Sequence, residues 1–228
     1  MGGNLPALSE NPLNGFRQSL VRALSLASLV AALSLPLAGR SMAQSVIAAA
    51  VAKPVSLPDI AIGSPKAPIT IHEYASMSCM HCAAFGENVF PMLRSRYIDT
   101  GKVRFVFREF PLDAAAAAAS ILARCISKDD PEKYLSVVET VFKLQARLMA
   151  EPKETLYFVG KQNGLSEQDV AACESDRAMI DKLGADQRFA FNTLKVDSTP
   201  TLFINGHKYK GAMSYEELDA ILKPLLKR

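Results

Sequence analysis

The sequence predicts an α/β fold: a strand–helix–strand opening and a hairpin–helix ending flank a block of helices. Three observations carry this. β-rich runs at residues 67–74 and 103–110 bracket a stretch whose apolar residues recur every three or four positions. Asn205-Gly206 lies between two further β-rich runs, the strongest short hairpin signal. Between these ends, residues 113–189 carry helix caps and helical apolar stripes.

The elements follow in order. Residues 67–74, APITIHEY, come after the turn signal Gly63-Ser64-Pro65 and read as a strand. Cys79-Met80-His81-Cys82 follows, and then Phe85, Val89, Phe90, Leu93 and Tyr97 at helical spacing. The cysteine pair therefore opens a helix just after a strand. VRFVFREF, residues 103–110, alternates through Arg104 and Arg108, and Pro111 ends it. Asp113 can cap a helix that starts with six alanines. Asp130-Pro131 starts another, with proline at the first helical position and a stripe of Leu135, Val138, Val141, Phe142 and Leu144. Ser166 and Asp169 form a capping-box variant that opens a helix through Cys173, and a last helical run covers about 176–194. Strands at 201–204 and 207–209 flank the Asn-Gly turn. Ser214 and Glu217 then form a full capping box before Leu218, Ile221, Leu222 and Leu225.

Composition narrows the function classes. The 228 residues are 49% hydrophobic, enough for one well-packed domain or one domain with an insertion. The net charge is +3, with no basic run and no Trp, so nothing marks a nucleic-acid surface. Arg17 and Arg22 precede an apolar stretch at 23–38, and Ser41-Met42-Ala43 offers small residues for cleavage. This is the secretory pattern, and it makes residues 1–43 a signal peptide. The alternative is an uncleaved anchor that tethers the domain outside. Residues 44–58 read as a flexible leader. The two halves of the α/β domain then fall at 59–112 and 190–228, with an inserted helical domain at 113–189. All four cysteines lie in the exported part, where an even count favours two disulfides.

Cys79 and Cys82 carry the chemistry. A thiolate is the attacking species in thiol–disulfide exchange, and a free thiol near pKa 8.5 supplies little of it at neutral pH. A helix N-terminus lowers that pKa, and Cys79 is nearest the end. Cys82, one turn later, can reach its sulfur, and His81 adds a donor or a positive charge. A structural zinc site would need about four ligands, and no second CxxC pair exists to complete one. Cys125 and Cys173 fall on two helices of the insertion. A structural disulfide there would stabilise by roughly 4 kcal/mol in the chain-entropy model; two buried free thiols are the alternative. Thr199-Pro200 precedes a strand, where proline is an ordinary first residue. A cis-proline presenting Thr199 to a peptide is the sharper reading, which pattern alone does not establish. His72 and His207 read as solvated strand residues.

The strand–CxxC–helix start, the late Thr199-Pro200 before an Asn-Gly hairpin, and the helical block between them resemble the DsbA-like branch of the thioredoxin superfamily. The resemblance covers about residues 58–226. It implies a thioredoxin fold with an inserted α-helical domain and a thiol–disulfide oxidoreductase that needs no cofactor or metal. It implies that Cys79 attacks, that Cys82 resolves, and that Pro200 is cis beside them with Thr199 on the substrate backbone. Glu73, six residues before Cys79, would be a buried acid handling protons near Cys82; an exposed strand glutamate is the alternative. The implied setting is the periplasm. The implied partners are reduced or unfolded exported proteins and a membrane redox protein that reoxidises a monomer. Met80 replaces the proline common in the family dipeptide, and Thr199 replaces a bulky aliphatic residue. Both departures leave open whether the chain runs as an oxidase or as a reductase or isomerase.

Overall fold

The computed structural model describes residues 46–53, 56–128 and 130–227. The signal-peptide reading of 1–43 lies outside them. The sheet is built from β1 (Ile60–Ile62), β2 (Ile69–Ala75), β3 (Val103–Glu109), β4 (Thr201–Ile204) and β5 (His207–Lys210), in the order β1-β3-β2-β4-β5. β2 is central. It runs parallel to β3, with Glu73 opposite Phe107, and antiparallel to β4, with Glu73 opposite Leu202. A parallel pair needs a crossover, and helices supply it. They are α1 (Met80–Asn88) and α2 (Phe90–Leu93), which continues as a π-helical turn through Ile98.

The stretch through Tyr97, whose spacing predicts one helix, is two helical pieces. The helix breaks at Val89, because Pro91 in the next turn has no N–H to give. β1 was also missed. Three residues are too few for a pattern, and pairing with β3 makes them a strand. Gly63, just after β1, has φ +85°, and a Cβ there would lie 2.5 Å from the Val103 carbonyl oxygen, so glycine is required.

The helical block comprises α3 (Ala114–Ser127), α4 (Pro131–Lys143), α5 (Gln145–Ala150), α6 (Pro152–Gln162), α7 (Glu167–Glu174) and α8 (Arg177–Asn192). Asp113 accepts from Ala116 N, and Asp130 accepts from Glu132 N and Lys133 N ahead of Pro131. Both predicted capping boxes form, at Ser166/Asp169 and at Ser214/Glu217 before α9 (Tyr215–Leu225). The sequence reading placed no element at 145–162, where α5 and α6 lie. The block's main core is shared with the sheet. Leu122, Tyr134, Val138, Leu156 and Val170 share one cluster with Ile71, Phe105 and Leu202 of the sheet.

The sheet's other face packs on α8. Tyr74, Phe203, Ala190 and Leu194 cluster there with Val51, and residues 46–51 are helical. The leader thought to be flexible over 44–58 is therefore held to the domain along its described part. Asp186 accepts from the N–H groups of Ser56 and Leu57 at 2.8 and 2.9 Å, and Leu57 is buried. Two ion pairs continue the seam. Arg108 binds Asp59 through Nε and Nη2. Arg124 binds Glu109 through two nitrogens, with Tyr134 OH donating to the same carboxylate at 2.9 Å.

Two stability predictions follow from these contacts. Arg124 and Glu109 are both buried, so Arg124→Met alone should cost about 3–5 kcal/mol in urea unfolding, because it strands a buried charge. Adding Glu109→Gln should recover most of that loss. Cys125 and Cys173 are disulfide-bonded, with Cα atoms 6.0 Å apart. Replacing both with Ala should lower stability by about 2–4 kcal/mol and leave the far-ultraviolet dichroism unchanged.

Candidate active site

β2 ends at Ala75, and the four residues from Ser76 to Cys79 carry the chain into α1. The turn is pinned from several sides. Ser76 Oγ accepts from Leu112 N at 3.2 Å and lies 3.0 Å from Ser78 Oγ. Gln145 Nε2, on α5, donates to the Met77 carbonyl at 2.9 Å. No sequence signal pointed to Ser76 or Gln145, because a lone serine or glutamine has no pattern. Cys79 N donates to Ser76 O at 3.1 Å, which fixes the cysteine as the N-cap residue of α1 in an extended conformation. The Cys79 carbonyl takes the N–H groups of Cys82 and Ala83, both at 3.1 Å.

Both Cys79 and Cys82 are buried free thiols. Cys79 Sγ lies 3.3 Å from the Thr199 carbonyl and donates to it as a thiol. The Thr199–Pro200 peptide is cis. Thr199 Oγ1 is buried and has no hydrogen-bond partner among the described residues.

The electrostatics divide the two sulfurs sharply. The Cys79 thiol is held down to about 5, chiefly by a hydrogen bond from the Cys82 thiol. Burial opposes this, and the Thr199 hydroxyl and the backbone N–H groups of Cys82 and His81 add to it. The His81 side chain itself is exposed, so its contribution here comes through its backbone. The Cys82 thiol is pushed far above the usual range by its bond to Cys79, by burial, and by the nearby Glu73 charge.

Glu73 is buried at 4% exposure, and its carboxyl is raised to about 8 by burial and then by charge on Cys79. His72 faces the other side of β2. The solvated reading of it is corrected: His72 is 6% exposed, and its Nδ1 has no hydrogen-bond partner among the described residues. Burial, and then Arg108, lower its pKa to about 4. The reason is the position of β2. A central strand has both faces covered, and alternation alone cannot reveal that. His207, on the outer strand β5, is exposed. Among the described residues, no three His, Cys, Asp or Glu side chains gather as a metal site.

Two measurements test these electrostatics. Alkylation of the reduced protein by iodoacetamide should titrate with a midpoint near pH 5. A midpoint near that of a free thiol would contradict the assignment. Glu73 keeps its proton in the folded state up to about 8, against 4.5 for an ordinary glutamate. Stability should therefore fall as pH rises through that window. In a Cys79→Ser/Cys82→Ser background, where burial still acts, Glu73→Gln should remove this slope in urea midpoints.

The thioredoxin family profile matches residues 56–224. Alpha-DsbA1 of Wolbachia pipientis is 31% identical, and the alignment covers 75% of this chain and 92% of that one at a TM-score of 0.69. Oxidised BdbD from Bacillus subtilis shares the fold, at 20% identity and a TM-score of 0.66, over 75% of this chain and 94% of that one. A Rickettsia bellii protein, provisionally named a protein-disulfide oxidoreductase, is 33% identical over 150 residues, which is 65% of this chain. This chain spans 57% of that relative's length. A CxxC pair capping the helix after the central strand, a cis-proline beside it and the matched profile agree: the chain belongs to the thioredoxin family, on its DsbA-like branch.

Proposed function

We propose that the chain is an exported protein thiol–disulfide oxidoreductase that introduces disulfide bonds into reduced proteins through Cys79 and Cys82. One observation carries this reading: Cys79 caps α1 beside the cis Thr199–Pro200 peptide with Cys82 buried one turn behind it, an arrangement that holds the Cys79 thiol down and keeps Cys82 protonated. A substrate thiolate attacks Cys79 Sγ of the oxidised protein. The Cys79–Cys82 bond breaks, and a mixed disulfide forms. Cys82 leaves as a thiolate of high proton affinity and takes a proton. Glu73, still protonated near neutral pH, is the acid at hand. A second substrate thiolate then attacks the substrate sulfur of the mixed disulfide. Cys79 leaves as a stable thiolate, and a low-pKa leaving group departs fast. The substrate loses two electrons and the protein gains them, so the cycle needs a reoxidant, for which a membrane redox protein is the natural class.

The secretory pattern of residues 1–43 supports action outside the cytoplasm, where disulfides persist. The substrate backbone would pair beside the cis-Pro200 peptide, with Thr199 at the contact.

The purified protein should show a reduction potential above about −180 mV in glutathione buffers. It should also reoxidise reduced ribonuclease, and Cys79→Ala should abolish this. Cys82→Ala should trap mixed disulfides with substrate. A potential near −270 mV, about that of thioredoxin, would make the chain a reductase instead. Unchanged refolding activity in Cys79→Ala would leave only a peptide-binding module.

A further inference from the structure

A cavity of about 480 Å³ lies between α1, α2 and α4, over β2 and β3. That volume is in the range of small-molecule sites. Phe85, Phe90, Phe105, Phe107 and Phe142 line it, and Glu73 belongs to the same lining. Its basic side chains are already engaged. Arg94 grips Glu132 through two bonds of 2.9 and 3.0 Å, and Lys143 holds Glu139 at 2.6 Å. Two acids remain, Glu73 inside and Glu87 on the exposed part of the lining. Neither has a cationic partner among the described residues. A chamber of aromatic faces with uncompensated carboxyl groups is matched by one ligand chemistry. The ring faces carry negative charge density that attracts a cation, most strongly where water is excluded. The apolar walls meanwhile reject a free inorganic ion.

We propose that this cavity binds a lipophilic ammonium ion, its apolar body among the phenylalanines and its protonated amine on Glu73. The amine converts a costly buried acid into one half of an ion pair, so Glu73 gives up its proton when the ligand enters. A carboxylic acid of the same shape could form no ion pair with Glu73, and an alcohol would gain the walls without the cation attraction. The site shares Glu73 with the redox centre, but binding needs no thiol reaction.

Calorimetry on the reduced protein, with 2-phenylethylamine as probe, tests this. At pH 7 the amine should bind once per chain, about tenfold or more tighter than 2-phenylethanol. Titrations in buffers of different ionisation heat should report release of about one proton. Glu73→Gln should erase both the amine preference and the proton release while still binding the alcohol. Ser136 is an exposed residue of the cavity lining on α4, so Ser136→Phe should fold normally and weaken the amine about tenfold or more. Equal affinity for amine and alcohol, amine binding without proton release, or full binding to Ser136→Phe would each overturn the proposal. So would no amine binding up to millimolar concentration. None of these results would touch the thiol chemistry, which the redox potential and the alkylation profile read separately.

Discussion

Everything in this molecule that bears on chemistry depends on Cys79 sitting at the N-terminal end of α1 while Cys82 sits one turn inside it. The first position gives the sulfur hydrogen-bond donors from the backbone and from Cys82. The second gives burial and a neighbouring acid. The same chemical group thus has two opposite tendencies one helical turn apart. A helix N-terminus alone gives a modest stabilisation of negative charge. The larger effect at Cys79 comes from the thiol next to it, so the pair works as a unit rather than as two independent cysteines.

That arrangement holds only if the turn before α1 is fixed, and the fold supplies the fixing from distant segments. Gln145 of α5 holds the Met77 carbonyl, Leu112 N reaches Ser76, and the Thr199 carbonyl faces the Cys79 sulfur. These contacts come from the helical block, the end of β3 and the loop before β4. The helical block is therefore part of the site's support as well as an insertion. Its shared core with the sheet is consistent with this, as is the Arg124–Glu109–Tyr134 cluster that ties α3 and α4 to β3. Such a buried ion pair contributes little net stability, although removing one partner alone is costly.

Much of the fold was legible because its signals are local. Asp113, Asp130, Ser166 and Ser214 cap helices through hydrogen bonds that span two or three residues, so a short window contains both partners. Asn205 and Gly206 take positive φ in the hairpin for the same local reason. The unread features are those whose partner is far away. β1 is a strand because β3 is beside it. Residues 46–53 and 56–58 are anchored because Asp186 and the outer sheet face receive them. His72 is buried because helical cover reaches both faces of β2.

The sequence by itself determined the α/β element order, the CxxC pair at a helix start and the turn chemistry, since each follows from neighbours a few residues apart. Only the tertiary structure decided how these parts act on one another. It brought Thr199 to Cys79 across 120 positions, joined Cys125 to Cys173, and closed Glu73 into an apolar chamber. The physical reason is that proton affinity depends on burial and on charges in space. Those are set by packing among segments that the order of residues brings together only once the chain has folded.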